Sequence, residues 1–188
     1  MVKFICNQNC DLNVTNGLFE PQLFEAVRNK NTEIIDLLCS YERTDLNMKD
    51  FHQNTALHYA IQGSSIDVIK IFLKYKSRLN TTIKNYKQLT YMHFAIATKN
   101  LEIVKLINDL NEKLRILENK TKTTPLIYAV SYGNSEIVSF LCSLENVDVN
   151  SKNIHGISAL HLSIESPEIL SILCKNPQIE LNVRNDQG

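Results

Sequence analysis

The chain has 188 residues, with 20 basic and 20 acidic side chains that cancel at neutral pH, and 44% of its residues are apolar. Charge balance leaves no bulk attraction for nucleic acid or another polyanion, and the apolar content is too high for intrinsic disorder. No apolar run approaches the ~18 residues of a membrane-spanning helix, and Met1 to Cys10 is too short in apolar stretch for a secretory signal.

In chain order, Met1-Val2-Lys3-Phe4-Ile5-Cys6 has the pattern of a short helix, and Asp11-Leu12-Asn13 closes it. Helices are then expected in pairs near 21–40, 55–75, 90–110, 124–143 and 158–174, with strand content confined to hairpins. Each pair starts on one phrase: Leu23-Phe24-Glu25-Ala26, Leu57-His58-Tyr59-Ala60, Met92-His93-Phe94-Ala95, Leu126-Ile127-Tyr128-Ala129 and Leu160-His161-Leu162-Ser163. Its small residue recurs at intervals of 34, 35, 34 and 34 residues. A period in this range marks stacked supersecondary units.

Lys49 to Asn80 is the clearest copy. Asp50-Phe51-His52-Gln53 is turn-like, since Asp closes Asx turns. Thr55 supplies an N-cap hydroxyl, and Ala56 to Gln62 is a short helix with Leu57, Ala60 and Ile61 on one face. Gly63 is expected to take the left-handed conformation that ends it. A second helix follows over Ile66 to Leu73, with Asp67 in its first turn where an acid suits the helix dipole. Glu33, Glu102, Glu136 and Glu168 are its equivalents. Helices this short are marginal alone in water, so each must bury its apolar face against the neighbouring copy.

Thr55-Ala56-Leu57-His58-Tyr59-Ala60 and Thr124-Pro125-Leu126-Ile127-Tyr128-Ala129 resemble the T-P-L-H-x-A phrase of ankyrin repeats. Asn100-Leu101-Glu102-Ile103-Val104, Gly133-Asn134-Ser135-Glu136-Ile137-Val138 and the endings Asp45-Leu46-Asn47 and Asp148-Val149-Asn150 extend the resemblance over essentially the whole chain. It implies a mostly all-α ankyrin-repeat solenoid of helix-turn-helix units joined by β-hairpin-like loops. The single domain 1–188 then divides into a partial repeat 1–13, repeats 14–47, 48–80, 81–115, 116–150 and 151–182, and the start of another at 183–188. Lys30 and Lys99 stand where the family prefers Gly, Arg115 stands where the third copy should close on Asn, and Ser166-Pro167 shortens the last copy.

The residues that could carry chemistry serve the repeat. Cys6, Cys39, Cys142 and Cys174 share one point of the second helix, a slot filled by Leu73 in another copy, and read as apolar packing. Successive repeats hold these sulfurs too far apart for zinc bonds of about 2.3 Å. Five cysteines without a C-x-x-C pair point to a reducing, cytoplasmic setting. His58, His93 and His161 sit in the helix-start phrase, where an imidazole satisfies loop backbone groups. No Walker loop or dinucleotide fingerprint is present. The reading is therefore of a non-enzyme, with no catalytic residues, no metal and no cofactor. The sequons at Asn13, Asn80 and Asn119 are expected by chance in so Asn-rich a chain. Asn47 and Asn150 resemble the family's hydroxylation sites, but their expected role is bonding between adjacent turns.

What remains is surface. The expected protein-binding residues are Leu18, Phe51, His52, Tyr86, Lys87, Lys120, Ile154 and His155 on hairpin tips, with Gln62, Thr98 and Tyr132 on the groove side of the first helices. Phe51, Tyr86 and Ile154 are the large tip residues that one partner could span, and a row of such side chains resembles a binding strip. The expected function is non-catalytic protein–protein recognition as part of a larger protein. The alternatives are an array that positions an enzyme or channel domain, or a stand-alone inhibitor of an enzyme. The expected partner is a protein, not nucleic acid or a membrane. Weak self-association is also expected, through a last repeat exposing Leu162, Ile164, Ile169, Leu170 and Ile172 in part.

Overall fold

A computed structural model describes residues 11–115 and 117–187. The helix expected over Met1 to Cys6, with Cys6 itself, lies outside the described residues. Among the described residues there are ten α-helices, three short 3-10 turns and no β-strand. The chain divides into two compact units, Met1–Tyr86 and Lys87–Gly188.

The first unit holds α1 (Gln22–Arg28), α2 (Thr32–Ser40), α3 (Ala56–Gln62) and α4 (Ile66–Lys74). Helix α1 packs on α3 and α2 on α4, so like helices of successive repeats lie side by side. Leu23, Leu57, Ile35, Leu38, Ile69 and Phe72 are buried in these contacts. The second unit holds α5 (Tyr91–Ala97), α6 (Leu101–Leu110), α7 (Pro125–Ser131), α8 (Ser135–Cys142), α9 (Ala159–Leu162) and α10 (Pro167–Cys174). Here α7 packs on α5 and α9, and α8 on α6 and α10. The phrase residues Ala26, Ala60, Ala95, Ala129 and Ser163 are all buried, which is why the position accepts only a small side chain. Each helix alone is too short to persist, and burial against its neighbour supplies the missing stability. The last first-helix is cut to four residues and continues as a 3-10 turn over Ser163–Glu165, as the shortened Ser166-Pro167 junction requires.

Two left-handed positions recur. One lies between the paired helices, at Lys30, Ser64, Lys99 and Gly133. Gly63, expected to be the reversing residue, instead has φ −74° as the α3 cap, and the reversal falls on Ser64 at φ 51°. The amide of Gly63 bonds to the Tyr59 carbonyl at 2.8 Å, keeping Gly63 within the right-handed turn. The other left-handed position closes the hairpins, at Phe19, Gln53, Gln88, Lys122 and Gly156. Three residues earlier, Asn16, Asn119 and Asn153 accept backbone amides of their own turns through Oδ1. The hairpins amount to isolated bridges, Thr15 to Pro21 and Lys152 to Ser158.

Two expectations need correction. Cys39 is buried and Cys142 half-buried, but Cys174 is exposed, because no further helix covers its side of α10 among the described residues. On the same repeat Ile169 is 1% exposed and packs inward, so it does not belong to the open apolar edge. Leu162 and Ile164 do, with Leu170 and Ile172 half-buried.

Candidate functional site

The hairpin tips are held from within. In the first unit the Asp50 amide donates to the Asn54 carbonyl at 2.9 Å, and Asp50 Oδ1 accepts the Asn54 amide at 2.8 Å. Asp50 Oδ2 accepts the Tyr59 hydroxyl, so a buried carboxylate ties the turn to α3. This anchoring pushes the intervening side chains outward. Phe51 is 72% exposed and Tyr86 is 56% exposed. The His52 ring stands 5.6 Å from each of them, edge-on to Phe51, and the Tyr86 amide donates to the His52 carbonyl at 3.1 Å. Three rings thus form one row on two tips of this unit. Leu18 is also exposed, at 60%.

On the helix side of the first unit, Arg28 binds Glu20 through both carboxylate oxygens and lies 5.0 Å over the Tyr59 ring. The Arg28 hydrogen bond holds the Glu20 carboxyl below its ordinary range despite desolvation. Arg28 is therefore committed to the fold, whereas Gln62 is exposed.

In the second unit Lys120, Ile154 and His155 are exposed on tips, and the Ile154 amide donates to the Thr121 carbonyl at 3.1 Å. Lys87 is exposed as well. Thr98 caps α5, its hydroxyl donating to the Ala95 carbonyl at 2.6 Å and accepting the Asn100 amide at 3.2 Å. Tyr132 lies beside Tyr128, with ring centres 4.8 Å and hydroxyls 3.2 Å apart. Burial, aided by the Tyr132 hydroxyl, pushes the Tyr128 phenol far above its ordinary value.

The histidines of the helix-start phrase serve the backbone. His58 Nδ1 accepts the Thr55 amide at 3.0 Å, which places its proton on Nε2. Burial pushes this imidazole down to about 3, with the Lys49 charge adding to the effect. His93 repeats the contact with Thr90 and donates through Nε2 to the Thr123 carbonyl at 3.1 Å. The closing asparagines are equally committed. Asn47 donates to the Arg78 carbonyl and accepts the Asn80 amide, and Asn150 does the same with Gln178 and Glu180. Asn13, one of the sequon residues, bridges to Arg43 and Asp45 in the same way.

The helix-start phrase does not single out two features. Phe19 is 60% exposed at φ 61°, and only its register with Gly156 marks it as a tip residue. Arg78 donates to the carbonyls of Cys39, Tyr41 and Thr44, fastening the end of α2 from the next repeat. Its sequence signal is its place where other copies close with Asp45 or Asp148.

The family description "Ankyrin repeats (3 copies)" matches residues 1–85, 23–115 and 92–185. The chain belongs to the ankyrin repeat family. A putative ankyrin repeat protein of Acanthamoeba polyphaga mimivirus is 26% identical over 174 residues, covering 89% of this chain and 23% of the viral protein. The chain therefore spans about a quarter of that curated relative. The crystal structure of the ankyrin repeat domain of Bcl-3, described as a unique member of the IkappaB family, superposes with a TM-score of 0.87 at 24% identity, over 98% of this chain and 81% of that one. That likeness concerns the fold. Among the described residues of the ankyrin array, no helix is long and apolar enough to cross a membrane.

Proposed function

We propose that this ankyrin array is a non-catalytic protein–protein recognition module, serving as the recognition part of a larger protein. The observation that carries the reading is the exposed ring row of Phe51, His52 and Tyr86, set on turns tied down by Asp50 and by the Tyr86 to His52 backbone bond. Rigid aromatic side chains bury much area at low entropic cost, and a few of them commonly dominate an interface. Leu18, Gln62 and, in the second unit, Lys87, Thr98, Lys120, Tyr132, Ile154 and His155 are proposed as flanking contacts. The greater length of the viral relative agrees with a module inside a larger chain.

The test is capture of partners from an extract of the source cell, repeated with Phe51→Ala and Tyr86→Ala combined. The variant is expected to keep its helical circular dichroism and to lose the main partner. Undiminished capture of every partner would sink the tip assignment. The same reading places the protein in a reducing compartment and assigns weak self-association to the exposed Leu162 and Ile164. Sedimentation of Ile164→Lys against the unaltered chain measures that association.

A further inference from the structure

The net charge of zero conceals a local imbalance in the second unit. Lys120 and Lys122 lie on one hairpin, Lys152 on the next, and Arg184 on the one after, all exposed. Adjacent hairpins are joined by backbone bonds, Ile154 to Thr121 at 3.1 Å and Asp186 to His155 at 3.4 Å, so the cations share one edge in fixed register. Lys152 Nζ reaches the Arg184 carbonyl at 2.9 Å, which ties two of these hairpins further. The same edge carries the carboxylates of Glu118 and Asp186, and an added Cβ at Gly156 would sit 2.6 Å from Asp186 Oδ1, placing that acid against the turn. Glu102, Glu136 and Glu168 lie instead in the first turns of the second helices. Among the described residues, Lys120, Lys122 and Arg184 form no ion pair, in contrast to Arg28, which is held by Glu20. Between the cations Ile154 stands 49% exposed.

We infer that this hairpin edge of the second unit docks an acidic protein segment that carries an aliphatic anchor for Ile154; the inference rests on the tip-recognition reading and names its partner chemistry. Clustered charge of one sign steers an oppositely charged segment and fixes its register, while the apolar contact supplies affinity. Single-stranded nucleic acid is disfavoured as occupant because the tip residues Lys120, Thr121, Ile154 and His155 offer one imidazole and no Phe, Tyr or Trp, too few rings for successive bases to stack on.

The test uses the whole chain, isotopically labelled for NMR. It is titrated with a glutamate-rich peptide of about 12 residues bearing two central leucines, a peptide with Gln replacing every Glu, and a single-stranded DNA of similar length. The acidic peptide is expected to move amides within 119–123, 152–157 and 184–187. Its affinity should fall about fivefold between ~50 and ~200 mM NaCl, as screening of exposed charges requires. Binding should be lost with Lys120→Glu and Lys152→Glu combined, and weakened about tenfold by Ile154→Ala, both with unchanged circular dichroism. Equal binding of the Gln peptide at those amides overturns the acidic assignment and leaves tip recognition standing. Stronger binding of DNA at the same amides overturns it in favour of nucleic acid. No movement of those amides with any probe also overturns it, and the Phe51 and Tyr86 capture experiment then decides tip recognition separately.

Discussion

A lysine in the left-handed region is held there by its neighbours against its own preference. Lys30 and Lys99 have φ of 52° and 57° at the reversal that Gly133 occupies in a later repeat. A Cβ in that region costs on the order of 1 kcal/mol, which Gly avoids. Lys99→Gly is expected to raise unfolding stability by about 1 kcal/mol. Lys30→Gly should gain less, because the Lys30 ammonium donates to the Gly63 carbonyl at 3.1 Å. Urea unfolding of the two variants measures the difference, and an unchanged or lower Lys99→Gly midpoint contradicts the strain argument. His58 makes the second prediction at this scale. Its imidazole is pushed down to about 3 in the fold, against about 6.5 in an unfolded chain. Between those values the unfolded chain binds the additional proton. The stability contributed by neutral His58 is therefore fully present above about pH 6.5 and is lost as pH falls toward 3. His58→Asn, which keeps a short acceptor near the Thr55 amide, is expected to lose less stability between pH 7 and 4.5 than the unaltered chain. Parallel pH profiles would remove His58 from that account.

At the scale of the element, a helix end must find partners for its last carbonyls. Helix α2 ends at Ser40, and the partner comes from the following repeat: the Arg78 guanidinium spans the carbonyls of Cys39, Tyr41 and Thr44. Hydrogen bonds from a charged group are stronger than neutral ones, so Arg78→Ala is expected to cost about 2 kcal/mol, with Arg78→Lys recovering only part because an ammonium cannot span the fork. The loss should be read in thiol chemistry as well. Burial pushes Cys39 up to about 12, while Cys174 is exposed. In the native protein a maleimide is expected to modify Cys174 before Cys39, which reacts only through local opening that Arg78→Ala should accelerate. Equal rates at Cys39 in the two proteins would mean that Arg78 does not hold this helix end.

For the whole molecule the cancelling charges have a consequence for solution behaviour. With no net charge near pH 7, copies repel one another least there, and exposed Phe51, Ile164 and Leu181 are available for contact. Light scattering should give the most attractive virial coefficient near pH 7 and more repulsive values near pH 9. A flat profile would mean that association is governed by something other than net charge.

Period, helix-start phrase and closing Asp-x-Asn are legible in the sequence because each answers a local demand. Ala60 must be small to sit between helices, Thr55 must cap, and Asn47 must bond two turns at once; these demands repeat wherever the unit repeats. The helical pairs follow from that periodicity, and the family from the resemblance of the repeated phrase to the ankyrin one. Features that depend on what stands across space were decided only by the tertiary structure. The reversal falls on Ser64 and not on Gly63, because the bond from Gly63 to Tyr59 sets where α3 ends. Cys39 and Cys174 occupy the same repeat position, yet one is buried and the other exposed, because burial belongs to the neighbouring helix and not to the residue. The ring row of Phe51, His52 and Tyr86 and the cation edge of Lys120, Lys152 and Arg184 arise in the same way, from residues more than thirty positions apart joined by hairpin-to-hairpin bonds. A repeating sequence specifies its own unit, and the stacking of units decides which side chains are left to meet a partner.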